Sequence, residues 1–179
     1  MKKSLLLFAG LFFTYFSYGQ TAEKPTFWLG AGLGKTQYIS GMVAAGFEPR
    51  NTNRVLTARY SVAGELLPDY APGIKMSEVS LLYGVRLWDL RLSAGLGTVW
   101  GVERGRYLAS DPDPLVGTGQ FYERKTYSTV GIPAEVRYIT SLTNWFNVGV
   151  TAFGNLNGKR SFAGVNFSLY VGQFSGVKK

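Results

Sequence analysis

Between Thr26 and Phe174 the chain alternates with a period of two through eight successive stretches, and one of the two interleaved rows carries no charge and no glycine. That row reads Phe27, Leu29, Ala31, Leu33; Val43, Ala45, Phe47; Leu56, Ala58, Tyr60, Val62; and Val79, Leu81, Tyr83, Val85, Leu87. It continues as Leu90, Leu92, Ala94, Leu96, Thr98, Trp100; Ser128, Val130, Ile132, Ala134, Val136, Tyr138; Phe146, Val148, Val150, Ala152; and Ala163, Val165, Phe167, Leu169, Val171. Only Thr98 and Ser128 are neither apolar nor Tyr. Side chains in a strand point alternately to opposite faces, so the pattern predicts eight strands, each with one apolar face. The other row gathers glycines, Ser, Thr, Asn and charges.

Which face is inward decides the class. Eight strands close around an interior only just wide enough for side chains to fill. The apolar row is too bulky to fit there, so a soluble lipocalin-like barrel is disfavoured. Turned outward, the same row makes a lipid-facing belt, and the glycines leave room in the lumen for long charged side chains. The expected fold is all-β: an eight-stranded antiparallel up-and-down transmembrane β-barrel. Its strands are expected near 26–35, 41–48, 54–64, 76–87, 90–103, 125–138, 146–154 and 162–174. Links after the second, fourth and sixth strands are short, whereas Glu65 to Lys75 and Arg104 to Arg124 are long. Short turns belong in the periplasm and long loops outside, which orients the barrel. Phe27, Phe47, Trp88, Tyr138, Trp145 and Phe174 are expected in the periplasmic aromatic girdle, and Tyr38, Trp100, Phe121, Tyr122 and Phe162 in the outer one.

Residues 1–19 read as a secretory signal peptide: Lys2 and Lys3, an apolar run from Leu5 to Phe13, and Ser17-Tyr18-Gly19 as a small-x-small cleavage site. Residues 20–179 form one domain. Removing Lys2 and Lys3 lowers the formal charge from +8 to +6. No basic helix or stacking platform accompanies it, and nucleic-acid binding is not expected. The chain has no Cys and no His. Disulfides and thiolate metal sites are thereby excluded, and the commonest general base and metal ligand is missing. No phosphate loop, zinc spacing or nucleophile elbow occurs, so neither a cofactor, a metal nor an enzymatic activity is expected.

In pattern, strand count and the ending Tyr170-Val171-Gly172-Gln173-Phe174, the chain resembles the small porin-like outer-membrane barrels of the OmpA transmembrane-domain, OmpX and OmpW type. Gly164-x-x-Phe167-x-Leu169 is similar to the last-strand signal read by the barrel assembly machinery, which the resemblance implies as a partner during insertion. Phe162 stands where that signal has a polar residue, and Ser175 to Lys179 run past the aromatic ending. The resemblance implies a Gram-negative outer-membrane location. Enzymes of this architecture use His, which argues further against catalysis.

Three sets of residues are candidates for function. The lumen row carries Glu48, Arg59, Glu78, Arg86, Arg91, Glu103, Glu135 and Arg137, four acids against four bases. Buried charges persist when paired, so the set predicts a closed network. Glu48, Arg86, Arg91, Glu135 and Arg137 are expected to share one layer near the periplasmic ends. Pro133 cannot donate to the ladder and predicts a bulge or gap in the wall. Lys35, Lys75, Arg104, Arg106, Arg124, Lys125, Lys159 and Arg160 form a basic margin that could clamp phosphates of outer-membrane lipid, lipopolysaccharide first. Asp111 and Asp113, in the longest loop, lack the oxygen-rich spacing of a calcium loop and read as a stiff turn. The function expected is an envelope barrel with a plugged polar lumen and a structural or surface-interaction role. The alternatives are a narrow channel or lateral conduit, and an accessory subunit bound to a larger membrane-protein partner.

Overall fold

The computed structural model describes residues 25–50, 52–66, 69–111, 114, 118–143 and 145–172. The expected signal peptide, Phe174 and Asp113 lie outside them. Eight long strands form the wall: β1 (Thr26–Lys35), β2 (Ile39–Glu48), β3 (Arg54–Gly64), β5 (Lys75–Leu87), β6 (Leu90–Ser110), β7 (Gln120–Ser141), β8 (Phe146–Asn157) and β9 (Phe162–Gly172). A two-residue strand, β4 (Tyr70–Ala71), lies in the β3–β5 connection and pairs parallel with Gln120 and Phe121 of β7. Every wall strand pairs antiparallel with its sequence neighbours, and β1 pairs with β9, so the barrel is closed. Closure leaves no edge within the wall, as a lipid environment requires.

The register fixes the shape. From Gly131 the row of partners runs through Gly97, Ser80, Arg59, Ala44, Gly30, Tyr170 and Asn147, and returns to β7 at Ser141, ten residues from its start. A stagger of that size over eight strands tilts each by about 40°. Ten residues then rise about 25 Å along the axis, the height of the apolar band on such barrels. The band is present: Leu33 is 74% exposed, Phe167 70%, Val130 68% and Leu81 62%, all from the uncharged row. A continuous apolar belt of this extent is a lipid-facing surface, since water-soluble monomers do not carry one. Phe27 and Phe47 stack at 4.6 Å at the end with short turns, where Trp88, Tyr138 and Trp145 are also exposed. Trp88, in the turn between β5 and β6, takes the left-handed conformation (φ 56).

Three features depart from the sequence reading. First, β6 and β7 run on past the wall as a two-stranded ribbon, with register shifts between Arg104 and Tyr107 and between Tyr107 and Ala109. Above the membrane the ribbon has no lipid to face, so its alternation breaks at Arg104, Arg106, Glu123 and Arg124. Second, Phe162 is no girdle residue: it packs inward against Ala63, Met76 and Val99. Third, the lumen row is not only small and polar. Trp28, Met42, Val55, Leu82, Val99, Ile139, Phe153 and Tyr170 are all buried inside. The glycines opposite them are what makes this possible. At Gly46 an added Cβ would overlap the Trp28 ring, and at Gly30 the Tyr170 ring.

Candidate functional site

The lumen is built in tiers. At the short-turn end, Trp28, Ala44, Val55, Ile139 and Tyr170 form one apolar cluster, in which Trp28 and Tyr170 meet edge to face at 5.6 Å. At the loop end, Ala63, Met76 and Val99 form a second, flanked by Tyr127 and Phe162. The charges lie beside and between these two clusters. Glu48 accepts from Arg86 Nη1 at 2.9 Å and from Arg91 Nε at 2.7 Å. A separate set centres on Arg59, which donates to Glu78 Oε1 at 2.6 Å and Glu135 Oε2 at 3.0 Å. Glu78 also accepts from Ser80 at 2.8 Å and Asn155 at 2.9 Å. Arg137 lies 2.8 Å from the other oxygen of Glu135, and its guanidinium sits 4.5 Å over the Trp28 ring and 5.5 Å from that of Tyr170. Arg59 similarly lies 5.4 Å from the Phe153 ring. A guanidinium over an aromatic face is stabilised further when both are desolvated.

The eight lumen charges divide by their direct contacts, although Arg91 and Arg137 stand opposite one another on β6 and β7. Seven are buried in two sets, and the five expected to share a layer are divided: Glu48, Arg86 and Arg91 form one set, whereas Glu135 and Arg137 join Arg59 and Glu78. The eighth, Glu103, stands at the outer rim, half-exposed, with Arg160 Nη1 at 3.5 Å. Arg160 also donates to Gln37 at 3.0 Å and Tyr38 at 3.3 Å, so it ties the β8–β9 and β1–β2 connections to β6 across the mouth. Partial burial alone would lower the Arg160 pKa, but the Tyr38 hydrogen bond and the Glu103 charge outweigh it and raise it. It is charged at every pH the protein meets.

Pro133 points into the lumen and pairs with Asn155 of β8. On the β6 side the ladder is interrupted: Ala94 pairs with Ala134 and Gly97 with Gly131, but Gly95 and Leu96, paired with β5, have no partner on β7. The register is the same on both sides, so this is a gap with no inserted residue, not a bulge. A strand residue presents its N–H and C=O to the same neighbour. The missing Pro133 donor thus faces β6, which accounts for the gap.

The basic margin also divides. Arg104 is engaged within the chain: it pairs with Glu65, donates to the carbonyls of Pro72 at 3.1 Å and Tyr70 at 3.2 Å, and lies 5.0 Å from the Tyr70 ring. With Arg160 likewise committed, Lys35, Lys75, Arg106, Arg124, Lys125 and Lys159 are the exposed members. Among the described residues no group of three or more potential metal ligands is brought together.

No protein-family model matches the chain, and no curated protein matches it in sequence. In solved structures it is similar to the N-terminal β-barrel domain of Pseudomonas aeruginosa OprF, at 12% identity and a TM-score of 0.49, over 86% of this chain and 99% of that one. It is also similar to Neisserial surface protein A, at 12% identity and a TM-score of 0.47, over 82% and 94%. The functional reading rests on the geometry of this barrel itself.

Proposed function

We propose that the chain is an integral outer-membrane barrel whose lumen is closed by its own side chains, with a structural and surface-interaction role and no catalytic one. The observation that carries this is the tiering of the lumen: Arg59, Glu78, Glu135 and Arg137 have side chains at most 1% exposed and are flanked by apolar clusters toward each end. Two apolar tiers exclude water from the ion pairs between them, and a balanced set of opposite charges offers no one-sign ring for ion selectivity. An outer-membrane location is supported by the closed wall, the height of the apolar belt and the leader-like first 19 residues. The surface role is supported by the β6–β7 ribbon, which raises half-exposed Tyr107, Leu108 and Phe121 beyond the wall. The test is swelling of liposomes containing the refolded protein in small sugars and amino acids. The closed lumen predicts no swelling above empty liposomes; solute-dependent swelling overturns it.

A narrow conduit is the second reading, and specific atoms favour it. Thr57 Oγ1, Ser93 Oγ, Ser168 Oγ and Arg137 Nε are buried with no hydrogen-bond partner among the described residues, as the polar lining of a water path is. The gap at Gly95 and Leu96 would be its lateral opening. Swelling of the same liposomes decides between the two.

A further inference from the structure

On the outer wall, near the loop end of β5, β6 and β7, the register sets out a small grid of outward side chains. Its lower row is Ser77, Trp100 and Ser128, and its upper row Lys75, Val102 and Thr126. One pair higher, Arg124 stands opposite Arg104. The grid, with Tyr60 and Arg124 but without Arg104, lines a groove whose walls contain Lys75 and Arg124 and no acid. We propose that this groove binds the phosphate-bearing headgroup of a lipid in the surrounding outer leaflet.

Position, charge and chemistry converge on that occupant. The grid lies where the apolar belt ends: Val130 and Leu96 below it are exposed to the hydrocarbon, and Trp100 stacks with Tyr60 at 6.4 Å as an aromatic floor at the interface. Ser77, which is buried, and Ser128 flank Trp100 in the floor row, and Thr126 stands beside Val102 in the row above. Strands about 4.8 Å apart put Lys75 and Thr126 about 10 Å from one another. Arg124 is two residues further along β7, about 12 Å from Lys75 by the same spacing, a distance that two long side chains can close on one anion between them. Arg104 adds no net charge here, because Glu65 neutralises it. Glu123 and Lys125, on either side of Arg124, alternate to the opposite face. Lys35 lacks this setting, because neither of its direct neighbours, Ile39 and Val165, carries a hydroxyl. Two cations, the exposed hydroxyls of Thr126 and Ser128 and an aromatic platform at the end of a hydrocarbon-facing wall form a site for a phosphorylated glycolipid, through charge-assisted hydrogen bonds to its phosphate.

The inference rests on the outer-membrane placement proposed above, and not on a closed lumen, since the groove lies outside the wall. The test is native mass spectrometry of the refolded protein in detergent, titrated with bisphosphorylated lipid A or the same lipid stripped of its phosphates. The expected result is preferential retention of the phosphorylated lipid, reduced about tenfold in K75Q/R124Q and unchanged in K35Q. Val102→Glu, which places a carboxylate in the middle of the grid, is a second variant expected to abolish the preference. Each sample is checked for the heat-dependent gel shift of a folded barrel. Equal retention of both lipids by folded wild type, or equal loss in K35Q and K75Q/R124Q, overturns the site. Swelling of liposomes would overturn the closed lumen and leave this result standing.

Discussion

Removing Arg59 tests whether the lumen charges are dry and paired. Arg59 makes three hydrogen bonds, from Nε to Glu78 at 3.2 Å, Nη2 to Glu78 at 2.6 Å and Nη1 to Glu135 at 3.0 Å, and neither its side chain nor that of Glu78 is exposed. Breaking a buried pair by deleting one partner costs about 3–5 kcal/mol, because the other charge is left uncompensated. Both acids here retain partners: Glu78 keeps Ser80 and Asn155, and Glu135 keeps Arg137. Arg59→Met, which preserves most of the volume, is therefore expected at the lower end, about 3 kcal/mol. Adding Glu78→Gln removes the stranded charge, and the double variant should recover to within about 1 kcal/mol of wild type, since neutral replacement of buried pairs is often without penalty. The assay is urea unfolding in phosphatidylcholine vesicles followed by tryptophan fluorescence. With a slope of about 1–3 kcal/mol/M, the single variant should lower the midpoint by about 1–3 M. A folded Arg59→Met barrel with the wild-type midpoint would show that water reaches these groups, and the reasoning would fall.

Other perturbations separate the tiers. Gly46→Ala places a methyl group where the Trp28 ring lies, and should cost about 1–3 kcal/mol by the same unfolding assay as the ring is forced off its seat over Arg137. Pro133→Ala restores the donor facing β6; hydrogen exchange at Gly95 and Leu96 should slow, with a gain of about 1 kcal/mol. Arg160→Ala unties the connections at the mouth: limited proteolysis there should accelerate while the unfolding midpoint shifts by less than about 1 kcal/mol, because that ion pair is partly solvated. High salt should weaken the Arg160 tie and leave the Arg59 set unaffected.

The wall was legible in the sequence because lipid imposes one rule on every outward position. Leu29, Leu81, Val130 and Phe167 obey it without reference to their neighbours, so strand count and the lipid-facing side could be read residue by residue. The lumen obeys no such rule. Whether Trp28 or Tyr170 fits inside depends on Gly46 and Gly30 on neighbouring strands, a relation that only the register reveals. The stagger also explains why Glu48 and Glu135 part company. Each strand is shifted relative to the next, so distance from a strand end does not measure height in the lumen, and β7 continues to Ser141, beyond its expected end at Tyr138. The β6–β7 ribbon was hidden for the opposite reason. Beyond the membrane neither lipid nor a packed core constrains Arg106 or Glu123, and the periodic signal fades although the strands continue. Arg104 and Arg160 looked like free cations because their partners, Glu65 and Glu103, are distant in sequence.

Single-channel recording in a planar bilayer reads out whether the lumen is closed by its own side chains. Protein from the same preparation is first shown to be folded by its heat-dependent gel shift. A closed lumen predicts a folded, silent barrel across the voltage range that the bilayer tolerates. Steady, discrete openings from folded protein, altered in size or selectivity by Arg137→Ala, would contradict it and establish a conducting path through the tiers.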